Sequence, residues 1–257
     1  MPAQADEPPS PAARHPDERR RKLLACLAAA SLGSARAWAP QPVPVAIGEN
    51  SSRPFVEPLL KLIGESAGIS WQLQSAPWAR VLALAERGQS LAFGMARTTE
   101  REKLYAFSQP VFDNHVWMLI RRDQALDFRS LDDLRDRTVC ISRGTSYGGR
   151  FDAIKGKQVR VEYVDGDLGA RLRMLIAGRC DMTLGSHRSP DPWLIERRAR
   201  QLSGLGAAIA VLPVPLAVEP VHFGVGHGSP LEALLPRIDQ AVKRQRVAIR
   251  ALVDSEL

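Results

Sequence analysis

A guanidinium just past the carboxyl end of a strand can hold a carboxylate through two parallel hydrogen bonds, and Arg101 stands in such a place. It follows the apolar run Leu91-Ala92-Phe93-Gly94-Met95-Ala96, inside the charged stretch Arg97-Thr98-Thr99-Glu100-Arg101-Glu102-Lys103. The same spacing lets Arg101 pair instead with Glu100 or Glu102 on a solvated surface. Gly144-Thr145-Ser146 opens a second helix after a strand, where free backbone N–H groups and hydroxyls form either an anion site or a plain N-cap. Trp78, at a helix start in Ala76-Pro77-Trp78-Ala79-Arg80, either walls a pocket or packs in a core. Groups for proton transfer are few: Glu49 in Glu49-Asn50-Ser51-Ser52-Arg53, and His187 in Ser186-His187-Arg188. No pair of carboxylates and no nucleophile–base constellation stands out, and neither cysteine of the body has metal-ligand spacing. The sequence therefore assigns no catalytic residue, no metal and no cofactor.

These residues need elements to position them, and strand and helix signals alternate along the chain. Val43 to Gly48 is a short apolar run, and Pro54 to Ala67 carries a helical face with Gly68 as its stop. Ile69 to Gln74 alternates as a strand, Trp78 to Arg87 is a helix, and Leu91 to Ala96 a strand. A polar stretch leads to a strand from His115 to Arg121. The rhythm then restarts. Ser130-Leu131-Asp132-Asp133-Leu134 has a helix cap, Thr138 to Ser142 is a strand, and a loop and helix run from Gly144 to Lys155. Val159 to Val164 is a strand, Leu168 to Ala177 a helix, and Asp181 to Leu184 a strand. Strands over Ala210 to Val214 and Val221 to Val225 precede one long amphipathic helix, Leu231 to Leu252. Two successive β-α-β-α-β units predict two small lobes with parallel sheets, facing each other with the carboxyl ends of their strands.

The stretch Arg97-Thr98-Thr99-Glu100-Arg101 to Phe107-Ser108-Gln109-Pro110 resembles the T-x-x-R…F-S-x-P signature of the family-3 periplasmic solute-binding proteins. Ser130 to Leu134, the strand ending in Gly144-Thr145-Ser146-Tyr147, and Leu175-Ile176-Ala177-Gly178-Arg179-Cys180-Asp181 extend the resemblance over most of the chain. It implies an α/β fold, the two-lobed type II (Venus-flytrap) periplasmic binding protein with a ligand cleft between lobes. Residues 38–119 and 220–257 would form lobe 1, and 120–219 lobe 2, with hinges near Arg121–Arg122 and Val218–Val221. The family's carboxylate-binding arginine falls on Arg101, and its second-lobe turn on Thr145 and Ser146. Ala96, Thr98, Trp78, Glu49 and Ser186 are expected around the same ligand. Two departures bear on that ligand. The family's ammonium-binding Asp is missing from Thr183-Leu184-Gly185-Ser186-His187-Arg188, and the loop after the first strand is short. The ligand then lacks an ammonium group, or Glu49 supplies the anion.

The N-terminus carries Arg19-Arg20-Arg21-Lys22, the apolar run Leu23 to Leu32, and small residues to Ala39. That order reads as a cleavable signal peptide within a leader of residues 1–37, cut after Ala35-Arg36-Ala37, and predicts a periplasmic protein. The consecutive arginines resemble a twin-arginine signal. A lipoprotein box at Cys26 is rejected, because only three apolar residues separate it from Lys22. Without residues 1–37 the chain keeps 29 cations against 24 anions, a net charge of +5. The cations are dispersed single arginines, which favours an anionic small molecule and does not indicate nucleic acid. Cys140 and Cys180 are either a disulfide of an exported protein or two buried small hydrophobes. The expected function is a monomeric, non-catalytic binding protein that delivers its ligand to a membrane ABC permease. The alternatives are a cyclic-acid dehydratase on the same fold, using Glu49 or His187, and a sensory or partner-binding domain.

Overall fold

The computed structural model describes residues 41–124, 126–204 and 208–255. The expected leader 1–37 and its cleavage site lie outside the described residues. Among those described, no helix is long and apolar enough to cross a membrane.

β1 (Val43–Gly48), α1 (Arg53–Ala67), β2 (Trp71–Ala76), α2 (Trp78–Glu86) and β3 (Leu91–Ala96) form the first unit. β1 pairs in parallel with β2, from Val43↔Trp71 to Gly48↔Ala76, and with β3 on its other side. Its continuous apolar run is explained by burial on both faces. Val45 and Ile47 pack with Phe55, Leu59 and Ile63 of α1, while Ala46 packs with Val81 and Ala85 of α2. α1 stops at Gly68, whose φ of 65° suits glycine and turns the chain back toward β2.

The stretch read only as polar contains a one-turn helix, α3 (Thr99–Glu102), and β4 (Tyr105–Phe107), before the long β5 (Phe112–Arg121). Ser130 and Asp133 make the expected capping box on a 3-10 turn. The second unit follows: β6 (Thr138–Ile141), α4 (Gly149–Ile154), β7 (Arg160–Tyr163), α5 (Leu168–Ile176) and β8 (Met182–His187). β6 is again the central parallel strand, between β7 and β8. α6 (Pro192–Ser203), β9 (Ile209–Val211), β10 (Ala217–Gly226), α7 (Leu235–Arg244) and α8 (Arg246–Asp254) complete the chain.

The strands lie in the order β2-β1-β3-β10-β5-β8-β6-β7. Each half is thus a three-stranded parallel set closed by one long antiparallel strand, β10 against β3 and β5 against β8. β5 and β10 pair with each other from Val116↔Ala217 to Phe112↔Val221 and join the halves. The cores are separate. One gathers Phe55, Leu59, Phe93 and Phe223; the other gathers Val116, Ile141, Phe151 and Leu184 on one sheet face and Trp117, Leu172 and Ile195 on the opposite face.

Two elements differ from expectation. α6 was not read because its inward stripe is narrow, with Ile195 and Ala199 the fully buried positions among its described side chains. The single helix expected over Leu231 to Leu252 is a 3-10 turn, Pro230–Leu234, followed by α7 and α8, which break at Gln245. The break keeps Ile238 and Val242, then Ile249 and Val253, against the same core. Cys140 and Cys180 are joined by a disulfide, with Cα atoms 5.8 Å apart. Reciprocal bonds bring them together: Asp181 N–H donates to Thr138 O at 2.8 Å and Thr138 N–H to Asp181 Oδ2 at 2.7 Å.

Candidate ligand site at the strand ends

β3 ends at Ala96, and Thr98 caps α3 by accepting the Arg101 N–H on its hydroxyl at 3.2 Å. This one-turn helix swings the Arg101 side chain back over the strand end. Its Nη1 donates to Ala96 O at 2.8 Å, and its Nη2 reaches the other half of the sheet, donating to Gly144 O at 3.1 Å. The guanidinium also lies 5.9 Å from the Trp78 ring. The anticipated surface pairing with Glu102 goes to Arg97 instead, at 2.5 Å. Burial lowers the Arg101 pKa from its ordinary value, opposed by the negative charge of Asp152 and, further down, Glu219.

The second wall is the turn between β6 and α4. Tyr147 folds its hydroxyl back to accept the Ser142 N–H at 3.1 Å, so the turn closes on itself. The structure alters the reading of Ser146 as a free helix-start donor. α4 begins only at Gly149, and the Ser146 hydroxyl donates to the Asp152 carboxylate, which also accepts from Lys155 at 2.7 Å. The chain thus supplies its own anion to Ser146, leaving the Gly144–Thr145 part of the turn, with Thr145 half-buried, beside Arg101. Gly148 (φ 103°) carries the backbone close past β10: a Cβ there would stand 2.7 Å from the Ala217 Cβ and 3.1 Å from Glu219 Oε1. Burial and the neighbouring Asp152 raise the Glu219 pKa, while Arg101 lowers it.

On the far side, Glu49 is exposed beyond β1, its N–H bonded to Ala76 O at 2.9 Å. Arg198 of α6 reaches over to Asn50 O at 3.3 Å. Ser186 is exposed at the carboxyl end of β8, opposite Val116. His187 is half-buried, and its pKa falls to about 4, first through burial and then through Arg188 and Arg198. It is neutral near pH 7, and its Nδ1 accepts the Ser189 N–H at 3.0 Å.

The structure therefore brings together Arg101, Ala96, Thr98, Trp78 and the Gly144 turn. It leaves Glu49 and Ser186 at other strand ends of the same edge. Sequence reasoning missed Asp152, Glu219, Arg171 and Arg198, whose only signal was charge; Arg171 and Arg198 bond partners 29 and 148 residues away in the chain. A separate surface concavity lies between α1 and β2, lined by Arg53, Glu57, Leu60 and Trp71. It shares no lining residue with the Arg101 group and is rimmed by solvated ion pairs.

The same architecture occurs in solved structures. The ligand-binding core of GluR0 from Nostoc punctiforme, in complex with L-glutamate, superposes with a TM-score of 0.65 at 20% identity, over 83% of this chain and 98% of that one. An amino-acid ABC transporter substrate-binding protein from Streptococcus pneumoniae, bound to L-arginine, gives 0.66 at 16% identity over 84% and 94%. A histidine kinase sensor domain with similarity to periplasmic binding proteins gives 0.66 at 18% identity over 82% and 95%. No protein-family sequence model and no curated protein sequence matches the chain. At these identities the likeness establishes the fold: a mixed α/β, two-lobed type II periplasmic-binding-protein architecture.

Proposed function

We propose that this chain is an exported, non-catalytic binding protein that closes two lobes on a small carboxylate-bearing molecule. One observation carries the reading. Arg101, at the end of the first parallel unit, meets the Gly144 turn, at the end of the second. A carboxylate placed there would take the guanidinium from one lobe and backbone donors from the other, so binding and closure are the same event. The lobes divide where the cores divide, since Phe112 and Val221 pack in the first core, and Val116 and Ala217 in or against the second. This reading puts the first crossing near Asn114–His115, where β5 passes from one core to the other. The second falls at Val218–Pro220.

Neighbours that bind L-glutamate and L-arginine support an amino acid or related organic anion as ligand, and the disulfide fits an oxidising compartment such as the periplasm. Delivery by a monomer to an ABC permease is the corresponding role. The likeness to a histidine kinase sensor domain favours a second reading, in which the same clamp reports its ligand to a signalling partner. Against a dehydratase stands His187, already an acceptor for Ser189 with its pKa depressed.

The test is a thermal-shift screen of amino acids and carboxylates, followed by titration of Arg101→Ala with the first ligand found. Loss of a charge-assisted pair that closure buries costs about 2–5 kcal/mol, so affinity should fall at least about tenfold. Arg97→Ala, whose partner is Glu102, should bind as wild type. An Arg101→Ala protein of undiminished affinity would overturn the site.

A further inference from the structure

Arg171 is a buried charge that the site described above does not use. It lies in α5, 7% exposed, in a helix that otherwise buries Leu168, Gly169, Leu172 and Leu175. Its Nη1 donates to the Ser142 hydroxyl and its Nη2 to Leu184 O at 3.4 Å, while its buried Nε has no acceptor. No ion-pair partner for it occurs among the described residues. A tie between β6 and β8 of this kind could be made by a neutral side chain, without the desolvation cost of an uncompensated guanidinium. Arg198, nearby on the same half, at least has Asp167 acting on its charge.

Position gives Arg171 a use. Ser142 is the first residue beyond β6, half-buried, and only two residues before Gly144, whose carbonyl Arg101 holds. Two residues of extended chain span roughly 7 Å. The two guanidiniums thus approach the same short turn from opposite lobes, one at each end. From this geometry we infer that the cleft takes a ligand with two anionic groups, one held by Arg101 and the other by Arg171 with Ser142. The spacing fits a dicarboxylate of four or five carbons. This inference rests on the binding reading above and sharpens its ligand class.

The experiment compares succinate with butyrate, and glutarate with valerate, by calorimetric titration of the full protein. Wild type should bind each dicarboxylate at least tenfold more tightly than the monocarboxylate of equal length. Arg171→Met should erase that preference while leaving the monocarboxylate affinity within a few-fold, and Arg171→Lys should keep most of it. Should Arg171→Met fail to fold by circular dichroism, Ser142→Ala decides, with an expected several-fold loss confined to dicarboxylates. Absence of preference in wild type, failure of every dicarboxylate to bind, or preference surviving both Arg171→Met and Ser142→Ala overturns the inference. If only another carboxylate binds, and Arg101→Ala abolishes that binding, this inference fails while the proposed function stands. If ligand binding is indifferent to Arg101→Ala, the site itself is wrong.

Discussion

The two halves of the sheet share one strand plan and reach stability by different means. The half built on β1, β2 and β3 is held by aromatic packing: Phe223 lies 4.7 Å from Phe93 and 5.8 Å from Trp71, and Phe55 meets Phe112 edge-on at 5.3 Å. The half built on β6, β7 and β8 has two four-residue strands, β6 and β7, a buried arginine and the Cys140–Cys180 disulfide. The contrast teaches that the plan of parallel strands closed by one antiparallel strand does not dictate what fills it. Where the core admits a charge, a covalent link ties β6 to the segment leading into β8.

Removing the keystone of each half separates these means, and the larger effect belongs to the aromatic side. Phe223 is fully buried, so Phe223→Ala should cost about 3–5 kcal/mol in urea unfolding. Hydrogen exchange should quicken first in β1 and β3, its partners in the core; equal quickening in β6 and β8 would mean the halves do not have separate cores. The disulfide closes a loop across a sequence separation of 40. Its reduction, or Cys140→Ser with Cys180→Ser, should cost about 2–4 kcal/mol and loosen β6 and β8 first. An unchanged melting temperature under reducing agent would dissolve the contrast.

A smaller effect distinguishes the halves by acid. His187 belongs to the second half, with its pKa brought from 6.5 to about 4 in the folded state. Between these values the unfolded chain binds the proton and the folded one resists it. The contribution is therefore whole above pH 6.5 and lost as pH falls toward 4. For a half-buried ring the loss should be about 1 kcal/mol after solvent screening. His187→Gln should flatten the dependence of the unfolding midpoint on pH across this window, and an unaltered slope would contradict it.

Much of the fold was legible because it rests on local patterns. The apolar run of β1, the stripe of α1 closed by Gly68 and the Ser130–Asp133 cap each satisfy their own backbone groups within a few residues. α6 was illegible for the converse reason, since two small patches at Ile195 and Ala199 suffice once β5 and β9 lie beneath them. At the site, type and spacing left Arg101 and Trp78 with two readings each and the family resemblance favoured Arg101; the structure places the Arg101 guanidinium 5.9 Å from the Trp78 ring.

What the sequence by itself determined is the alternation of elements and the placing of Arg101 just beyond a strand end, both properties of neighbours in the chain. Only the tertiary structure decided the partners: Glu102 for Arg97 and not Arg101, Asp152 for Ser146, Cys180 for Cys140, and Ser142 for Arg171. A charge or a thiol has many suitors along a chain of this composition. The choice is made by which strand ends the sheet order places side by side, and that order is fixed by burial of two cores rather than by any residue of the site.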